Sequence, residues 1–198
     1  MKVLIVRHGD PDYDIDSLTE KGWKEVEYLS QKLSKLDVKA FYVSPLGRAR
    51  DTAAPTLKKM GRTAVVCEWL QEFPCQIWRP DVKDKKIIAW DWLPQDWMAD
   101  ERFFQYDHWF ENEAMQEGHV KEMYDHVTGE FDKVLAKHGY EREGHYYKVN
   151  EENKKFADPK QHIMEKYYTS ERNAQIVIAL LKANNIRKII ASPGATNI

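Results

Sequence analysis

Lys2-Val3-Leu4-Ile5-Val6-Arg7-His8-Gly9-Asp10 is the stretch on which the fold turns. Val3, Leu4, Ile5 and Val6 form a short, continuous apolar run rich in β-branched residues, as expected of a strand buried on both faces of a sheet. The run stops at Arg7-His8-Gly9. A cation and an imidazole thus stand where a buried strand would surface, followed by a glycine that lets the backbone turn or approach a ligand closely. In open α/β sheets ligands gather at the carboxyl ends of the strands. An Arg-His pair at such an end is poised to meet an anion.

Working outward, residues 11–17 read as a polar loop with Pro11, Tyr13 and, counting Asp10, the four aspartates Asp10, Asp12, Asp14 and Asp16. The spacing of Trp23, Val26, Leu29, Leu33 and Leu36 predicts a helix over 19–36 with one buried stripe. Residues 39–44 read as a second strand, Ser44-Pro45-Leu46-Gly47 as a turn, and 48–60 as a helix carrying Arg48 near its start. A third strand is expected over 63–68, followed by Leu70-Gln71-Glu72-Phe73. This alternation is that of an α/β sheet.

Beyond residue 73 the pattern changes. Six of the seven tryptophans lie between Trp69 and Trp109, mixed with Pro74, Pro80 and Pro94 and without a clean period. Residues 73–110 therefore read as an insertion over one end of the sheet, either a substrate-binding cap or a loop held by aromatic burial. A helix is expected over 111–138, with Met115, Val120, Met123, Val127, Phe131 and Leu135 inward and Gly139 closing it. A short strand follows at 146–149, and residues 150–161 have the composition of a linker.

A chain of 198 residues is expected to form one domain with a real core. Its net charge of −2, with both signs mixed, argues against nucleic acid and against a membrane surface. No apolar run has spanning length, and Arg7 and His8 interrupt the only candidate for a signal peptide. Cys67 and Cys75 lack zinc-site spacing and read as reduced thiols. The expectation is a soluble cytoplasmic protein.

Phosphoryl transfer through an enzyme nucleophile needs the nucleophile, cations for the equatorial oxygens, an acid for the leaving oxygen, and exclusion of water. His8 can be the nucleophile, since neutral imidazole is available near neutral pH. Arg7 adjoins it, and a guanidinium suits bidentate phosphate contacts. Arg48 follows the second strand and Glu72 the third, so three strand ends deliver these groups to one rim if the strands are parallel neighbours. Asp107-His108 and His119 read as surface or cap residues.

V-R-H-G-D at 6–10, L-T-E-K-G at 18–22, S-P-L-G-R-A-R-D-T-A at 44–53 and L-Q-E at 70–72 resemble the histidine phosphatase superfamily, the phosphoglycerate-mutase-like group. The resemblance implies a three-layer α/β/α sandwich with an inserted aromatic-rich cap. His8 would be the phosphorylated nucleophile. Arg7 and Arg48 would bind the phosphate, and Glu72 would protonate the leaving group in a half-closed site. No metal or other cofactor is implied, because the arginines supply the positive charge. The partner is a small phosphorylated substrate, with aromatic, nucleotide and sugar phosphates fitting the cap equally.

One departure concerns a second histidine, which the family carries on a late apolar strand. His162 lies near the expected distance, but Lys160-Gln161-His162-Ile163-Met164-Glu165 reads as an amphipathic helix. The loss would take a donor from around the phosphate and a strand from the sheet, and losing one such donor costs about 100- to 1000-fold in rate. The tail differs too: a helix over 169–184, a strand over 186–191 and the S-P-G-A-T-N turn at 192–197 resemble the opening of thiamine-diphosphate-binding enzymes. An ordinary α/β unit completing the sheet is the alternative. The expected organisation is a phosphatase-like domain at 1–149, a linker at 150–161 and an atypical segment at 162–198. The function so read is a phosphomonoester phosphatase using phosphohistidine, impaired by the missing histidine. Phosphatase is preferred to mutase because nothing marks a bisphosphoglycerate site. The alternative is a phospho-ligand-binding protein without turnover.

Overall fold

Within the apolar run at the N-terminus, Leu4–Ile5 pairs as strand β1 of a four-stranded sheet. The structure, a computed structural model, describes residues 2–89 and 92–150 and the backbone of Ile190–Ser192. The sheet also contains β4 (Phe41–Val43), β5 (Val65–Val66) and β10 (Ile190–Ser192), in the order β1-β10-β4-β5. All its pairings are parallel, with Leu4 opposite Ile190, Ala191 opposite Tyr42, and Tyr42 opposite Val65. The carboxyl ends of the strands therefore share one rim. β1 and β4 are parallel but not adjacent. β10 stands between them, which corrects the expectation that a sheet strand is lost along with the second histidine.

Period-two alternation divides the strand side chains between two faces. Leu4, Val6 and Phe41 pack with Val38 and with Leu57 and Met60 of α2 (Gly47–Met60). Leu29 and Leu33 of α1 (Glu20–Leu33) meet this group across a cavity of about 20 Å³. Val3 and Tyr42 instead join Cys67, Leu70 and the Val134 and Leu135 side chains of α5 (Val120–Lys137). The first strand is not buried throughout: Ile5 is 46% exposed, because it lies beyond the cluster that covers Val3.

Local differences from the sequence reading have physical causes. The stretch 11–17 is a small hairpin, β2 (Pro11–Asp12) against β3 (Ser17–Leu18), rather than an open loop. Thr19 caps α1, its Oγ1 accepting from the Gly22 N–H at 3.1 Å. Gly22, Val26, Ser30 and Leu33 are buried, while Trp23 is 43% exposed and Leu36, past the helix end, is also exposed. The helix is turned this way because the Asp10 carbonyl presses on Gly22: a Cβ there would lie 2.3 Å from that oxygen.

The insertion contains regular structure that its composition hid. β6 (Gln76–Arg79) and β7 (Val82–Ile88) form an antiparallel hairpin, followed by α3 (Pro94–Met98). Trp92, Trp97 and Phe103 form a cluster with ring centroids 4.8–5.3 Å apart. The expected helix over 111–138 is broken: α4 (Glu113–Glu117) stops at Gly118, and His119 takes a left-handed φ of 51° before α5 begins. Gly118 lets β6 approach, since a Cβ there would sit 2.3 Å from the Ile77 side chain. Gly139, at φ 81°, follows α5 as expected. β8 (Tyr140–Glu143) supplies the partner of the expected strand β9 (Tyr146–Val149).

Cys67 and Cys75 are free and buried, and burial pushes both thiols up. No helix among the described residues is long and apolar enough to cross a membrane. Residues 151–161 of the expected linker (150–161), His162, the helix over 169–184 and residues 193–197 of the expected turn (192–197) lie outside the described residues, and with them the features said to resemble a thiamine-diphosphate enzyme, apart from Ile190–Ser192.

Candidate active site

At the end of β1, His8 turns inward and is 7% exposed, whereas Arg7 beside it is exposed. His8 Nδ1 lies 2.7 Å from the Gly9 carbonyl oxygen. A carbonyl can only accept, so Nδ1 carries the hydrogen, and in the neutral form of the ring Nε2 holds the lone pair. Nε2 is buried and has no hydrogen-bond partner among the described residues.

The turn after β4 delivers Arg48 in the first turn of α2, where it is 7% exposed. Two carboxylates hold its guanidinium. Nη1 donates to Asp16 Oδ1 at 2.7 Å, and Nη2 donates to Glu72 Oε2 at 3.1 Å. Glu72 reaches this point because β5 leads into a single 3₁₀ turn, Glu68–Leu70, that brings the chain back to the rim. The remaining Nε–H of Arg48 is buried without a partner among the described residues. The ring of Tyr13 lies over the guanidinium, 5.3 Å from its carbon.

Thr52, one turn along α2 and 2% exposed, ties the two strand ends together. Its Oγ1 accepts from the Gly9 N–H at 3.0 Å and donates to the Arg48 carbonyl at 2.8 Å. The histidine turn and the arginine thus share one hydroxyl.

Of the four residues expected at the site, the structure brings Arg48 and Glu72 into direct contact and links His8 to Arg48 through Gly9 and Thr52. Arg7 stands exposed at the same strand end. Asp16 and Thr52 were not anticipated in the site. Thr52 lies inside the motif at 44–53, so its spacing of one helical turn from Arg48 was a usable signal. Asp16 had only its place among four alternating aspartates.

The electrostatics follow from these contacts. Burial pushes the Asp16 carboxyl up. Hydrogen bonds from the Gly47 N–H and from Arg48, together with the charge of Arg48, outweigh this and hold it below the usual carboxylate range. Among the described residues no group of three or more histidine, cysteine or carboxylate side chains is arranged to hold a metal ion. What the rim offers is a ring nitrogen of His8 and a guanidinium N–H of Arg48, both buried and without a partner among the described residues, with a carboxylate on the same guanidinium. An oxyanion with an electrophilic centre matches that set.

A 2,3-bisphosphoglycerate-dependent phosphoglycerate mutase of Thermoplasma acidophilum is 38% identical over 64 residues, a match covering 27% of this chain and 32% of that relative. The chain thus spans about a third of the length of the curated relative it matches. A solved mycobacterial glucosyl-3-phosphoglycerate phosphatase is 28% identical, with 33% of this chain and 35% of the other covered and a TM-score of 0.31. A phosphoserine phosphatase of Entamoeba histolytica, in complex with 3-phosphoglyceric acid, is 15% identical, with 98% and 74% covered and a TM-score of 0.34. The family model of the histidine phosphatase superfamily (branch 1) matches residues 3–143, a span that takes in His8, Arg48 and Glu72. With more than half of its length inside that match, the chain belongs to the histidine phosphatase superfamily.

Proposed function

We propose that this protein is a phosphomonoester phosphatase that works through a phosphohistidine on His8. The observation that carries the reading is that His8 Nε2 and Arg48 Nε are both buried without a partner among the described residues, at strand ends tied together by Thr52. Leaving such groups unpaired costs free energy, and a phosphate monoester bound at this rim would offer an oxygen to the Arg48 N–H and its phosphorus to the His8 lone pair.

In the first half-reaction the Nε2 lone pair attacks phosphorus and the ester P–O bond breaks. Glu72, entering this step as the acid, gives its proton to the departing oxygen, and the carboxylate left behind is the form that pairs with Arg48. Arg48, with Arg7 from the strand end, holds the equatorial oxygens. In the second half-reaction water attacks the phosphohistidine, its proton passes to the Glu72 carboxylate, and the P–N bond breaks. Inorganic phosphate leaves, with His8 and Glu72 restored. Burial of both unpartnered atoms serves the exclusion of stray water.

The packing of α2 and α5 side chains on opposite faces of the strands supports a three-layer α/β/α sandwich. We read residues 73–110 as a cap. A cavity of about 190 Å³ lies between Trp97, Phe103, Trp109, Met115 and Tyr124, within the hydrophobic cluster of this segment. The substrate is read as a small phosphate monoester.

The test is phosphate release from an aryl phosphate by the purified protein, without added metal, beside His8→Ala. Turnover that is lost in the variant supports the reading. Equal turnover in both, or none in a folded wild-type protein, overturns it.

A further inference from the structure

We infer that Asp16 is a positioning residue that fixes the guanidinium of Arg48 for an incoming oxyanion; the inference rests on the reading that Arg48 holds the phosphate. Asp16 bridges two successive residues of α2. Its Oδ2 accepts from the Gly47 N–H at 2.6 Å and its Oδ1 from Arg48 Nη1 at 2.7 Å. One carboxylate therefore ties the side chain of Arg48 to the backbone at the start of its own helix. Glu72 holds the other terminal nitrogen. With both ends fixed, the plane of the guanidinium is set, and the edge bearing Nε–H is the part left to a ligand.

The backbone shows what this arrangement demands. Asp16 takes a left-handed φ of 47°, a conformation that costs free energy for any residue but glycine. Its carbonyl oxygen lies 2.0 Å from where a Cβ on Gly47 would be, so only glycine admits the hairpin this close to α2. A second bond, Ser17 Oγ to Asp51 Oδ2 at 2.6 Å, pins the hairpin one turn farther along the helix. Asp16 takes Nη1 and leaves Nε–H free, which separates positioning from simple competition with the ligand.

The test is titration of the full chain with inorganic phosphate and with vanadate, for wild type, Asp16→Ala, Arg48→Lys and the double variant. Removing Asp16 should weaken oxyanion binding about tenfold, as for loss of one charge-assisted hydrogen bond, and should add little in the Arg48→Lys background. Effects that multiply across the two variants would mean a merely structural role and overturn the inference. Equal or tighter binding by Asp16→Ala overturns it as well, the latter making Asp16 a competitor. Should Asp16→Ala not fold, Asp16→Asn, which keeps the shape, is held to the same criteria. Wild-type protein that binds neither ion overturns the phosphate reading itself, and the inference with it.

Discussion

Arg48 Nη2 and Glu72 Oε2 meet at 3.1 Å, so the proposed phosphate anchor and the proposed proton donor form one ion pair between two strand ends. If Glu72 delivers the proton, its removal should matter most where the leaving group is a poor one. Glu72→Gln keeps an acceptor for Arg48 but cannot donate in the same way. Its kcat/KM should fall by about 100-fold or more on an alkyl phosphate and far less on an activated aryl phosphate. Comparing the two substrates checks this, and equal losses on both would argue against the role.

Arg48→Lys keeps the charge and removes the fork. A lysine cannot serve Asp16, Glu72 and an oxyanion edge together, so kcat/KM should fall by about 100-fold or more despite the conserved charge. Steady-state kinetics on an aryl phosphate will read the loss.

Thr52→Val is nearly isosteric and deletes the hydroxyl shared by the Gly9 N–H and the Arg48 carbonyl. The half-buried Gly9 N–H then loses its partner. Stability should drop by about 1–3 kcal/mol in urea unfolding, and turnover should drop with it because His8 loses its tie to α2.

Gly47→Ala should destabilise the protein by about 1–3 kcal/mol through overlap with the Asp16 carbonyl. Weakened phosphate binding should accompany the lower midpoint, since the hairpin must retreat from Arg48. An unchanged midpoint would contradict the close approach.

His138 couples stability to pH. Burial, and then the nearby Lys137 charge, lower its pKa from the ordinary 6.5, and the ring lies 2.9 Å from the Tyr42 hydroxyl through Nε2. A depressed value means that the unfolded chain binds the proton more readily. Its contribution is therefore full above 6.5 and is lost as the pH falls through the folded-state value. Thermal unfolding temperature should decline as the pH drops below that point, and His138→Gln should flatten this part of the profile.

The elements legible from local chain were those whose chemistry is consecutive. The apolar run into Arg7-His8-Gly9, the turn into Arg48, and Leu70-Gln71-Glu72 each announce a strand or turn followed by a reactive group. Gly139 likewise ends its helix where the chain says it should. What escaped depends on contacts between distant segments. Asp16 meets Arg48 across 32 residues, and Thr52 meets Gly9 across 43. The outward turn of Trp23 and the helix break at Gly118 are imposed by the Asp10 backbone and by Ile77, which no periodicity within those helices records. The place of β10 between β1 and β4 is a matter of sheet order.

The central claim is a covalent phosphohistidine on His8, and its most direct test is to trap that intermediate. The protein would be mixed with an aryl phosphate, quenched in alkali to preserve a P–N bond, digested, and analysed by mass spectrometry. The account predicts a phosphoryl group on the peptide containing His8, absent from Arg48→Lys or much reduced in it. Turnover without any phosphorylated His8 peptide, or phosphate found on another residue, would contradict it.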